Sequence, residues 1–348
     1  MQNRVQSLDY LRGLMAAGIM VYHFFLWSGD KYDAGTLLGR LGVYGVSVFY
    51  VLSGLTLFVV YHQKLEFKSI HQYFIKRIFR IFPLLWLCVA LTIFFTSKQI
   101  DLITVLLNLS GLFGFIAPSK YIAAASWSIG NELVFYTIFP VILLVSRKYK
   151  FFPLLVVILS FLIAIYFSFN ILDGNRLIAY QWKLYIMPLN QVVLFVSGFL
   201  VGQLLVGKTM PQFVGPFLIV VSTTAFVLYP VNGDNIHIVS GVNRIIFILM
   251  SVVLTAGFLI TDMRIGKVAN FFLARLGEVS YSVYLIHPIV FNFIKKQLNV
   301  TDRLSLLLFS FTGTLIISVL VYNFYEKKFI QVGQVISNYK SALIRVSK

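Results

Sequence analysis

Between Ser7 and Phe25 an otherwise apolar run carries one guanidinium, Arg12, and one imidazole, His23. Eleven helical positions at about 100° each leave the two side chains roughly 20° apart around the axis and about 16 Å apart along it. Both therefore face one way. Ionisable groups in a membrane span are costly and turn toward a bundle interior or an aqueous cavity. The chemical reading makes His23 a proton acceptor with Arg12 on the same wall. The structural reading makes them an end anchor and a packing histidine, and residue types alone leave both open.

Other groups with chemistry are sparse. The one acidic residue expected well inside an apolar run is Glu132, in Ser126-Trp127-Ser128-Ile129-Gly130-Asn131-Glu132. If its helix runs outside to inside, Glu132 and His23 each lie roughly 7 Å below an outer helix end. A carboxylate there suits an imidazole, by fixing its tautomer and stabilising its charged form. The alternative is a polar clamp between helices. Arg77 and Arg80, three apart beside Pro83, share a helical face, and a guanidinium pair suits phosphate. Ordinary anchoring at lipid headgroups explains the same pair. His287, followed by Pro288, lies mid-membrane and reads as a second active-site histidine or a hydrogen-bonded structural one. Cys88 sits alone in an apolar run and forms no intrachain disulfide. His62, His71 and His237 fall in predicted loops and are assigned nothing. No spacing suggests a metal site or a phosphate-binding glycine loop.

The elements that must position these groups follow from composition. The 348 residues are 59% hydrophobic and 12% charged, with a mean hydropathy of +0.87. So little charge cannot cover so much apolar surface in water, which excludes a soluble domain. Runs of about twenty apolar residues call for helices rather than barrel strands, so the expected fold is an all-α integral-membrane bundle. Ten spans are expected, about 8–28, 42–62, 81–97, 127–146, 151–170, 185–206, 212–231, 241–261, 279–298 and 305–326. The first is read as a retained helix, because Arg12 and His23 interrupt it and no clear cleavage site follows. The stretch 102–115 is short and interrupted by Asn108, Gly111 and Gly114, so it is read as interfacial or re-entrant.

The formal charge of +17 resembles a nucleic-acid signal, but its placement does not. With the N-terminus in the cytoplasm, most of the 29 Lys and Arg residues fall inside. These are Arg4, Arg12, the cluster from Lys64 to Arg80, Arg147 to Lys150, Lys208, Arg264, Lys267, Arg275 and the group from Lys327 to Lys348. This bias predicts an N-in, C-in bundle with an even number of spans and needs no nucleic acid. Residues 1–338 are expected to form one membrane domain and 339–348 a short basic cytoplasmic tail. No internal repeat or appended soluble domain is expected.

Taken in order, these pieces resemble the acyltransferase-3 family of bacterial multispan O-acyltransferases. The resemblance rests on Ser7-Leu8-Asp9-Tyr10-Leu11-Arg12-Gly13 with His23, and on Gly45-Val46-Ser47-Val48-Phe49-Tyr50-Val51-Leu52-Ser53-Gly54. It continues through Arg77-x-x-Arg80, Ser126-Trp127-Ser128 with Glu132, and Ser280-Tyr281-Ser282-Val283-Tyr284-Leu285-Ile286-His287-Pro288. Ser47 stands where many relatives carry an acidic or another small polar residue, and Asn131-Glu132 where a pair of acids is frequent. The resemblance implies transfer of an acyl group, commonly acetyl, from cytoplasmic acyl-CoA to a hydroxyl of a surface glycan or its lipid-linked precursor. It implies a multi-pass protein of the bacterial inner membrane. His23 matches the family's essential histidine, Arg12 its partner, and Arg77 and Arg80 the pair linked to coenzyme A. Ser53 and Tyr281, within matched motifs, are further candidates for the donor site, and Glu132 joins His23 and Arg12 as a catalytic candidate. The expected partners are acyl-CoA, a carbohydrate acceptor and membrane lipid, with no metal. The chemistry agrees, since a hydroxyl needs a base near neutral pH and histidine suits that task. Arg12 is too far from His23 for a direct oxyanion role and is assigned to the inner part of the cavity with Asp9. The rival from another class is a multispan transporter or exporter using the same His, Glu and Arg groups. A non-catalytic membrane scaffold is a third option.

Overall fold

The computed structural model describes residues 5–96, 99–261, 263 and 265–346. Arg4, Arg264 and Lys348, which entered the charge argument, lie outside the described residues. The fold is all-helical, with no strand among the described residues. Seven helical stretches are long and apolar enough to cross a membrane: Leu37–Tyr61, Phe67–Phe95, Ser126–Lys148, Phe152–Ile171, Pro188–Leu205, Gly241–Ile260 and Arg303–Asn338. The chain divides into two compact units, unit 1 formed by Met1–Tyr61 with Tyr149–Ser280 and unit 2 by His62–Lys148 with Tyr281–Lys348.

The other three expected spans are helices of a different kind. The first, α1 (Gln6–Trp27), has 22 residues, but Arg12 and His23 dilute its hydropathy. Val214–Leu228 has 15 residues, a rise of about 22 Å against a hydrocarbon core of about 30 Å. Lys267–Lys296 has 30 residues and starts well before the expected 279, in a polar turn that continues the helix. Charge marks where a membrane ends, not where a helix does. The same correction applies to α3 (Ile70–Phe95), which was expected to begin near 81. Arg77 and Arg80 lie inside it, and Pro83 is within the helix.

In unit 1, α1 and α2 (Leu37–Tyr61) share a core of Leu8, Leu11, Val48, Leu52 and Leu55, joined by Val201, Ala256 and Phe258. The helix Pro188–Leu205 lies directly on α2. A Cβ at Gly54 would stand 1.9 Å from the Phe195 carbonyl oxygen, and one at Gly198 would stand 2.0 Å from that of Val51. Only glycine permits this crossing, which explains the small residues of the Gly45–Gly54 motif. The helical stretch Phe152–Ile171 is the most apolar of the seven, yet buries only 28% of its window. Leu154, Leu155, Ile158, Leu159 and Leu162 point outward from it, as a lipid-facing helix requires.

In unit 2, the interrupted stretch 102–115 resolves into α4 (Leu102–Ser110) and α5 (Phe113–Ile116). Asp101 caps α4, its carboxylate accepting from the Thr104 N–H at 2.8 Å and the Thr104 hydroxyl at 2.7 Å. Gly111, at φ 75°, ends the helix in the left-handed region. Asn108, expected to break this stretch, sits within α4. Its amide donates to the carbonyls of Thr104 and Lys120 at 2.8 and 2.7 Å and accepts from the Ile122 N–H at 3.0 Å. A side chain able to donate and accept staples the following loop onto the helix instead of ending it. The last long helix, Arg303–Val321, is capped by Asp302 and passes through a π-turn, Tyr322–Glu326, into the helix Lys327–Val346. Residues 339–346, expected to be a tail, are helical in backbone.

Candidate functional site

His23, Arg12 and Ser53 belong to unit 1, and Glu132, Arg77, Arg80 and Tyr281 to unit 2. In unit 1, His23 is part-exposed on α1. Its ring stacks on that of Trp27, one turn further on, with centroids 4.7 Å apart and planes 7° apart. Tyr22 packs against it at a tilt, 5.2 Å between centroids. The imidazole is thus held by aromatic faces in one orientation.

Arg12, eleven residues earlier on the same uninterrupted helix, reaches Asp9 Oδ1 with Nη1 at 3.4 Å and the Thr56 hydroxyl with Nη2 at 3.4 Å. Thr56 lies one turn from Ser53, so Arg12 and Ser53 border the same part of α1 and α2. Asp9 is held where α1 meets the start of Lys267–Lys296. A Cβ at Gly277 would stand 2.3 Å from the Asp9 carbonyl oxygen, and one at Gly13 would stand 2.7 Å from Gly277 N. The glycine after Arg12 in the first motif therefore sets this contact.

In unit 2, the Arg77 guanidinium lies over two rings, 6.0 Å from the Tyr73 centroid and 5.8 Å from that of Tyr136. Tyr136 donates its hydroxyl to Glu132 Oε2 at 2.9 Å, and Tyr73 donates to the Tyr136 carbonyl at 3.1 Å. Arg77 and Glu132 are therefore linked through one tyrosine. Tyr281 donates to the Ile81 carbonyl at 3.0 Å, one residue beyond Arg80. The Ser128 and Tyr284 hydroxyls are 2.8 Å apart, which joins two motifs 156 positions apart in sequence. His287 is fully buried, with Nδ1 3.1 Å from the Val283 carbonyl oxygen one turn back. Cys88 is buried, with its sulfur 3.8 Å from the Leu285 carbonyl oxygen.

Glu132 is not the only acid inside a helix, as the sequence suggested. Glu326 is 2% exposed, accepts from the Ser282 hydroxyl at 2.7 Å and lies in the field of Arg80. The π-turn inserts one residue and rotates Glu326 by about 100° relative to a regular helix. That rotation is invisible in the sequence, where Glu326 reads as the polar end of a span beside Lys327.

Two buried arginines were also missed. Arg40 donates to the carbonyls of Ala34, Phe226, Val227 and Tyr229 at 2.6 to 2.9 Å. Arg244 donates to the Asn190 carbonyl at 2.6 Å and lies over the Tyr185 ring. Arg40 sits at the C-terminal end of Val214–Leu228, where the helix dipole favours a cation. Together they knit the loops at the end of unit 1 where α1 finishes. Among the described residues, no group of three or more His, Cys, Asp or Glu side chains could hold a metal ion.

The acyltransferase domain family matches residues 5–323. A relative, the exopolysaccharide production protein ExoZ of Rhizobium meliloti (strain 1021), is 24% identical over 273 residues, covering 74% of this chain and 78% of that protein. No solved structure matches. With apolar spanning helices and a family match over nearly its whole length, the chain is a multi-pass membrane acyltransferase and belongs to the acyltransferase-3 family.

Proposed function

We propose that this enzyme moves an acyl group, most simply acetyl, from cytoplasmic acyl-CoA to a hydroxyl of a surface polysaccharide or its lipid-linked precursor. His23 takes the proton from the acceptor hydroxyl as its oxygen attacks the thioester carbonyl. The carbon–sulfur bond breaks, and the imidazolium returns the proton to the departing thiolate. Glu132 supplies the carboxylate that favours the charged imidazole. Arg77 and Arg80, with Ser53 and Tyr281, hold the donor, the arginines taking its phosphates. Arg12 with Asp9 organises the inner part of the cavity. The enzyme sits in the bacterial inner membrane, N-in and C-in, with α1, Val214–Leu228 and Lys267–Lys296 completing ten spans. Residues 1–338 form the membrane domain and 339–348 a cytoplasmic tail.

The observation that carries this reading is Arg77, held between Tyr73 and Tyr136 with Glu132 on the latter's hydroxyl. Aromatic walls fix a guanidinium in direction, and a guanidinium so oriented suits a phosphate. The relative's connection with exopolysaccharide production supports a glycan acceptor. The test is mass spectrometry of surface polysaccharide from cells carrying wild-type protein, His23→Gln, or none. O-acyl groups should be present only with wild type. Near-normal acylation by His23→Gln would make His23 a packing residue. Polysaccharide missing from the surface but normally acylated inside would point to an exporter.

A further inference from the structure

The end of unit 1 at which α1 finishes is built from the segments 28–36, 171–187 and 229–240, the second carrying the short helix Ile178–Tyr185. They are tied to one another: the Ala34 N–H donates to the Gly233 carbonyl at 2.8 Å, and the Ile178 N–H to Asp234 Oδ1 at 2.8 Å. Arg40 bonds carbonyls on two of these segments. In the third segment, Asn235 is 8% exposed and its side chain is within hydrogen-bonding reach of the Tyr22 phenol. Its Oδ1 has no hydrogen-bond partner. Tyr22 in turn packs on His23, and its ring lies against Gly42, where a Cβ would stand 2.3 Å from it.

A buried amide oxygen left without a donor is destabilising. Here the oxygen stands beside the phenol that adjoins the proposed base. The group that completes it must donate a hydrogen bond. An anion fails that test, and the adjacent Asp234 carboxylate opposes one. A neutral hydroxyl meets it. We propose that Asn235, with Tyr22, forms a subsite for a sugar ring of the acceptor. Asn235 Oδ1 accepts from a hydroxyl neighbouring the one that His23 deprotonates. The proposal rests on the glycan-acceptor reading above.

The experiment uses the full chain purified in lipid nanodiscs, acetyl-CoA, and surface polysaccharide stripped of its O-acyl groups by mild alkali. Asn235→Ala should raise the acceptor KM about three- to tenfold while the acetyl-CoA KM stays put. Asn235→Asp, which keeps the Oδ1 acceptor, should restore most of the acceptor affinity. If Asn235→Ala does not fold, Tyr22→Phe serves in its place and should raise the acceptor KM alone. An unchanged acceptor KM in the Ala or Phe variant overturns the subsite. So does an Asp variant that loses acceptor affinity as fully as Ala, or a rise in both KM values together. A wild-type protein that transfers nothing to the stripped polysaccharide would instead refute the glycan reading itself.

Discussion

The Trp27 ring beneath His23 gives a direct test of the base assignment. When the imidazole takes a proton it becomes a cation lying 4.7 Å from the indole centroid, inside the roughly 6 Å over which an aromatic face attracts a charge. Such contacts are worth about 0.5–1 kcal/mol when exposed and about 2 when dry. The pair is part-exposed, so about 1 kcal/mol of transition-state stabilisation is at stake, or about fivefold in rate. Trp27→Leu removes the face, whereas Trp27→Phe keeps a weaker one. Initial rates of acetyl transfer from acetyl-CoA to stripped polysaccharide should fall about fivefold for Leu and about twofold for Phe. Thermal melting of the two variants, followed in parallel, separates catalysis from packing. If Trp27→Leu turns over at the wild-type rate, His23 does not become charged on this face during the reaction. If Leu and Phe lose equal activity in step with their melting temperatures, the stack is packing alone.

Gly54→Ala and Gly198→Ala each place a methyl about 2 Å from a facing carbonyl oxygen. Both should cut the yield of folded protein in detergent chromatography sharply, whereas Gly18→Ala, 3.5 Å from a flexible Leu41 methyl, should not. Asn108→Leu strands part-buried backbone groups of Lys120 and Ile122 and should cost about 1–3 kcal/mol, read as a lower melting temperature. Hydrogen bonds from Thr104 hold the Asp101 carboxyl below its usual range. A depressed carboxylate stabilises above its unfolded pKa of about 3.9 and loses that contribution as pH falls through its folded value. Asp101→Ala should therefore lower the melting temperature at pH 7 and make progressively less difference once the pH drops below about 4. Arg77→Gln with Arg80→Gln should weaken coenzyme A binding by calorimetry in a protein that still folds, and unchanged affinity would return the pair to membrane anchoring.

The sequence by itself determined the class of molecule. A chain this apolar must satisfy its backbone within helices in lipid, so composition and run length fix an all-helical membrane protein without any knowledge of packing. The ordered motifs likewise determined the family, because each sits at a local spacing that survives in the linear text. Helix ends were less legible. The text marks where polarity changes, and α3 and Lys267–Lys296 continue through polar turns. Which polar groups meet was decided only in three dimensions. The Ser128–Tyr284 contact and the Tyr136–Glu132 bond beside Arg77 join groups that no local period connects. Glu326 is turned inward by a single inserted residue, and Asn235 is brought beside Tyr22 by loops closed around Arg40. Hydropathy and spacing are properties of one segment. Hydrogen bonds between segments depend on where each backbone is carried by glycine contacts, π-turns and buried arginines, and these act only once the chain has folded.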